Sequence, residues 1–153
     1  MNFLSAFISP SRIINKASLQ SQKRIFEVLS QLLQDEELNI SSDLLYQKLF
    51  ERERIGSTAI GKGVVVPHCR VDGLTITRLA VLTLNESIEY DTAEQKVGVF
   101  IAVIFPKNVS DVHIQFIAEL VKFLKSPGVL DSIHAASSNE ELYQIFFKDE
   151  QKT

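Results

Sequence analysis

The nine residues Val97 to Phe105, VGVFIAVIF, constrain this chain more than any other stretch. They carry no charge, are rich in β-branched side chains and stop at Pro106, which is the pattern of a strand. A strand that is apolar at every position has no side to give to water and belongs in the middle of a covered sheet. Leu79 to Leu84 reads as a second strand, and Val64 to Val66 as a short buried third, with Pro67 biasing Val66 towards extended backbone. Asn85 to Thr92 reads as a connection containing an extended piece at Ser87 to Glu89. Near the N-terminus, a short helical turn is interrupted by Pro10 and followed by an extended piece at Ser11 to Asn15.

Helical periodicity brackets this block. Ile25, Val28, Leu29, Leu32 and Leu33 recur at helical spacing within Leu19 to Leu38, with Ser18 read as the N-cap. Ser41 caps a second helix through Leu44, Leu45, Lys48 and Leu49 to about Glu53, so Arg52 falls in the last turn, where exposed carbonyls favour a cation. After the strands, Ser110 opens a helix through Ile114, Ile117, Leu120, Val121 and Leu124, which stops near Ser126 and Pro127. A shorter helix covers Val129 to Ala135. Ser138 and Glu141 have the spacing of a capping box for a final helix ending near Phe147, and the tail from Lys148 should fray. Helices on both sides of a block of strands predict a three-layer α/β domain with a mixed sheet.

Composition narrows the function. A chain of 153 residues, 45% hydrophobic and 23% charged, fits one globular domain over 1–153 with a core that needs no disulfides. The single cysteine, Cys69, excludes an intrachain disulfide and agrees with a reducing compartment. A net charge of -3 argues against a general nucleic-acid binder. No stretch has the apolar length of a membrane span, and the N-terminal residues lack the pattern of a signal peptide, so a cytoplasmic protein is expected.

The chemistry concentrates in Arg52 to Arg70, RERIGSTAIGKGVVVPHCR. His68 is a nucleophile able to work near neutral pH, and as a phosphoryl acceptor it needs one ring nitrogen free, the other oriented, and donors for the phosphoryl oxygens. Backbone N–H groups near Gly56, Gly61 and Gly63 and the hydroxyls of Ser57 and Thr58 are candidate phosphate-binding groups, and Arg52 offers a planar set of donors. His113, in the first turn of its helix beside unpaired backbone N–H groups, is a candidate second wall. Each residue also has a plainer reading. A histidine after a strand can be a structural hydrogen-bonding group, arginines at a helix end are commonly solvated, and Ser57 and Thr58 can satisfy turn backbone. The glycines fit neither a Walker A loop, since Lys62 is not followed by Ser or Thr, nor the dinucleotide fingerprint, so nucleotide binding is disfavoured.

The string G-S-T-x-I-G-x-G-x-x-x-P-H, then DVHIQFIAELVKFL and SNEELYQIF, resembles enzyme IIA of the nitrogen-regulatory phosphotransferase system, the PtsN type, over about Ile8 to Phe147. It is related more distantly to the IIA domains of fructose and mannitol permeases. The resemblance implies a mixed five-stranded sheet flanked by helices on both faces. It also implies a phosphotransferase in which His68 accepts phosphate from HPr or its nitrogen-branch counterpart NPr, with Arg52 and His113 in the places of the family's active-site arginine and second histidine. Such carriers regulate targets, among them potassium transporters and sensor kinases, by phosphorylation-dependent binding. No metal and no cofactor is implied. Two alternatives stay open: a sugar-permease EIIA that passes phosphate to a separate IIB, and a phosphate-independent binding module or metal hydrolase using His68 and Cys69. Position 69 departs from the small residue, often glycine, of relatives, so a positive φ there would strain cysteine by about 1 kcal/mol. Its bland reading is a small side chain beside the histidine. His134 is assigned no role.

Overall fold

The computed structural model describes residues 3–90, 93–108 and 111–147. The apolar run forms β6 (Val97–Pro106), with neighbours on both sides. On one side lies β5 (Arg78–Ile88), antiparallel, with β1 (Ile13–Ala17) parallel to it at the sheet's edge. On the other side β3 (Val64–Val65) and β4 (His68–Val71) lie in line, both parallel to β6, and β2 (Ala59–Gly61) completes that edge as an antiparallel partner of β3. Six strands thus occupy five positions of a mixed sheet. The gap between β3 and β4 falls at Val66 and Pro67, because proline has no N–H for the ladder. Pairing resumes at once, with the Val103 N–H donating to the Pro67 carbonyl at 2.9 Å.

Alternation along β6 separates two cores. Val99, Ile101, Val103 and Phe105 face α3 (Val112–Leu124), α4 (Val129–Ala135) and α5 (Asn139–Phe147). Phe100, Ala102 and Ile104 face α1 (Gln22–Leu33) and α2 (Ser42–Ile55). Every residue from Val99 to Phe105 is at most 1% exposed, so the strand is buried on both faces as its composition requires. Each large side chain buried this fully contributes on the order of 1.5–3 kcal/mol.

Several boundaries differ from the sequence reading. Helix α1 is capped by Ser21, whose hydroxyl accepts the Arg24 N–H at 3.1 Å, while the Ser18 hydroxyl accepts a hydrogen bond from Asn85 of β5. The helix ends at Leu33 rather than Leu38, since Asp35 and Ile40 pair as an isolated antiparallel bridge and Asn39 has a φ of 58°. Ser41 caps α2 as expected, accepting from Leu44 at 3.1 Å. Asp111 stands at the N-cap of α3 without a side-chain capping bond, and Ser110 lies outside the described residues, as do Thr92 and the tail from Lys148. At α5, Ser138 accepts the Glu141 N–H, but the Glu141 carboxylate accepts from Ser137, one residue short of a capping box. The extended piece at Ser87 belongs to β5, and Ser11 lies in a 3-10 turn (Pro10–Arg12) that precedes β1. Among the described residues, no helix is long and apolar enough to cross a membrane.

Candidate active site

The segment after α2 is held by two hydrogen-bonded groups. The Arg52 guanidinium donates to the Gly56 carbonyl at 2.9 Å, satisfying one carbonyl at the helix C-terminus. Glu53, 3% exposed, accepts the Thr58 hydroxyl at 2.7 Å and the Thr58 N–H at 3.2 Å. Beyond Thr58 the chain forms a two-residue hairpin turn, Lys62 and Gly63, between β2 and β3. Both have positive φ, 59° and 78°, as a type I′ hairpin demands. A Cβ on Gly63 would lie 3.1 Å from the Lys96 carbonyl, so this position needs glycine for space as well as conformation.

His68 opens β4 and lines a cleft of about 500 Å³. Its Nδ1–H donates to the Val66 carbonyl at 2.8 Å, since a carbonyl can only accept, and this fixes the neutral ring with its lone pair on Nε2. Among the described residues Nε2 has no protein hydrogen-bond partner. Burial lowers the pKa of His68, opposed by the bond to Val66 and the Glu53 charge, and assisted by Arg52 and His113. Phe105 presents an edge-on contact to His68, at 6.4 Å between centroids, and to His113, at 5.7 Å. His113 is the second residue of α3, and Arg70 Nη2 lies 3.2 and 3.1 Å from its two ring nitrogens. Ile114 and Ile117 supply the apolar side of the cleft.

The structure therefore brings Arg52, His68 and His113 together. It does not bring the expected phosphate-binding set to them. Ser57, Gly61 and Gly63 line a different cavity of about 470 Å³, with Lys62 and Glu94. The Thr58 hydroxyl is donated to Glu53, and the Ser57 hydroxyl accepts the Ala59 N–H at 3.0 Å. The glycines serve the hairpin instead. Arg70, which the sequence reading missed, takes a place in the cleft. Residues two apart on a strand share a face, so the spacing from His68 to Arg70 was the available signal.

Cys69 also borders the cleft, but it is held by the opposite core. It is aligned with Ile104, packs against the α1 and α2 core, and has no positive φ, so the strain considered for this position does not arise. Burial pushes its thiol pKa up to about 12, leaving it protonated near neutral pH. Among the described residues no three His, Cys, Asp or Glu side chains are grouped to hold a metal ion.

The family model for the phosphoenolpyruvate-dependent sugar phosphotransferase system, EIIA 2, matches residues 6–149. The chain belongs to this family. Among EIIA relatives, it is 27% identical over 143 residues to a nitrogen regulatory protein of Pseudomonas aeruginosa, covering 93% of each chain. It is 31% identical over 128 residues to one of Klebsiella oxytoca, covering 82% of this chain and 78% of the relative. The crystal structure of nitrogen regulatory protein IIA-Ntr from Neisseria meningitidis superposes with a TM-score of 0.86 at 27% identity, over 95% of this chain and 99% of that one. Within the EIIA 2 family the chain is of this nitrogen-regulatory, PtsN type. IIA mannitol from Escherichia coli shares the fold, with a TM-score of 0.67 at 17% identity over 90% of this chain and 97% of that one. The three-layer mixed sheet read from the sequence is thus the EIIA architecture, and a phosphocarrier of the nitrogen-related phosphotransferase system is the role this similarity supports.

Proposed function

We propose that this EIIA accepts a phosphoryl group on His68 Nε2 from a phosphohistidine of HPr or NPr. The single observation that carries the reading is the hydrogen bond from His68 Nδ1–H to Val66, which leaves Nε2 as the nucleophile in a cleft shared with two arginines. The lone pair on Nε2 attacks phosphorus in line. The N–P bond to the donor histidine breaks as the new one forms, and the donor nitrogen recovers its electron pair. Arg52 and Arg70 stabilise the transferring oxygens, and His113 closes the opposite wall. No metal enters this step. Val112 and Ile114, 58% and 59% exposed at the start of α3, form an apolar rim on which the donor protein docks.

Transfer adds roughly two negative charges to the cleft. That change alters which partner the surface accepts, and we infer that targets such as potassium transporters or sensor kinases are distinguished this way. In this scheme the EIIA domain works in the cytoplasm. Incubation with enzyme I, HPr or NPr and phosphoenolpyruvate should yield an acid-labile adduct on His68. Its absence under conditions that phosphorylate the donor would overturn the reading.

A further inference from the structure

We propose that Glu53 is the positioning residue for His68, fixing the Val66 carbonyl through Thr58 and so holding the ring with its free nitrogen towards the cleft. The inference rests on the reading that His68 Nε2 accepts the phosphoryl group. Its links are four hydrogen bonds. The Glu53 carboxylate accepts the Thr58 hydroxyl at 2.7 Å and the Thr58 N–H at 3.2 Å. The Thr58 carbonyl accepts the Val66 N–H at 3.1 Å, and the Val66 carbonyl accepts Nδ1–H of His68 at 2.8 Å.

Each link follows from what its neighbours lack. Val66 sits in the gap between β3 and β4, and Pro67 has no N–H, so strand pairing does not hold Val66 itself. Its own N–H bond to Thr58 does so, together with the bond from Val103 to the next carbonyl along. Thr58 directs its hydroxyl to Oε1 and its N–H to Oε2 of Glu53, and a carboxylate is the group that accepts at both positions, because glutamine would put an NH2 donor in one of them. Burying that carboxylate is costly without these bonds, so Glu53 and Thr58 each account for the other. The Glu53 charge is also felt at His68, where it favours the proton against Arg52 and His113. Arg52 of α2, His113 of α3 and Arg70 of the same strand line the cleft with the ring, and Glu53 of α2 acts on it through its charge.

Ring nitrogen NMR of the 15N-labelled protein, combined with phosphoryl-transfer kinetics, tests the relay. The parent should show the Nδ1–H tautomer. Glu53→Gln and Thr58→Val should each populate the other tautomer and lower kcat on the order of 10- to 100-fold, with KM for the donor within about twofold. Their combination should be no worse than the worse single change, since both cut one chain. Thr58→Ser keeps both donors and should restore the tautomer and the rate. In Glu53→Gln the titration midpoint of His68 should also move to lower pH. If Glu53→Gln fails to fold, Thr58→Val alone still decides. Variants that keep the parent tautomer and kcat and lose only thermal stability would overturn the proposal. A parent protein that is never phosphorylated would overturn the function proposed above instead, and the tautomer measurement would still judge the relay.

Discussion

Arg70 reaches from β4 to α3, its Nη2 lying 3.2 Å from Nδ1 and 3.1 Å from Nε2 of His113. The contact ties the first turn of α3 to the strand that carries His68, across a separation of 43 residues in sequence. One side chain therefore both sets the spacing of the cleft walls and brings a second guanidinium to it.

Arg70→Ala should slow phosphoryl transfer to this EIIA by about 10- to 100-fold, the loss of one or two charge-assisted hydrogen bonds. Arg70→Lys should recover part of that loss, since an ammonium restores the charge without the planar fork. Stopped-flow or quench-flow transfer from a phosphorylated donor measures both, and parent kinetics in Arg70→Ala would remove this residue from the site.

Arg52→Lys should slow transfer more than it disturbs folding. Lysine keeps the charge but cannot hold the Gly56 carbonyl and offer further donors to phosphate in one plane. A rate equal to the parent's, with an unchanged urea midpoint, would contradict the assigned role.

His68→Ala should abolish labelling while leaving the fold intact. The pH dependence follows from burial, which lowers the His68 pKa below its usual value of 6.5. Above that value the ring is neutral in both folded and unfolded chains, and its burial is tolerated in full. As pH falls through it, the unfolded chain takes up the proton first, so stability declines until the folded-state pKa is passed. The parent should therefore lose stability over this interval relative to His68→Ala, as urea titrations at successive pH values can read.

Gly63→Ala should destabilise the protein by about 1–2 kcal/mol or more, because it combines positive φ with a close approach to the Lys96 carbonyl. Gly61→Ala, with a φ of 88° and open space around the new methyl, should cost about 1 kcal/mol. Equilibrium unfolding gives the stabilities. Transfer kinetics give the other half of the test: these glycines serve a hairpin, so the Gly61 variant should phosphorylate at the parent rate, whereas a phosphate cradle would show a slower one.

Cys69 should react slowly with iodoacetamide at pH 8, because little thiolate exists below its raised pKa. Cys69→Ala should still accept phosphate on His68. Rapid alkylation that blocks labelling would instead support a redox role.

The parts of this molecule legible in the sequence are those whose cause is local and periodic. Val97 to Phe105 identified the central strand, and the repeat from Ile25 to Leu33 identified α1. What escaped depended on distant partners or on patterns with two physical causes. Ser18 and Ser21 are both competent caps, and the choice is made by Asn85 on another strand, which engages Ser18. Gly61 and Gly63 suit an anion loop and a type I′ turn equally well, and only the pairing of β2 with β3 separates them. Thr58 offered a hydroxyl for phosphate until Glu53 was seen to accept it. Arg70 needed β4 to begin at His68 before its shared face had meaning. His68, Arg52 and His113 line one cleft, which no local pattern of the sequence places together.

The sheet has one helical layer on each side, and the cleft draws on both: Arg52 comes from α2, His113 from α3, and His68 stands on the strand between them. A molecule with either layer detached keeps only half of a site. Loosening of either layer, even far from the cleft, should therefore be read out as a slower uptake of phosphate at His68 before the sheet itself is lost.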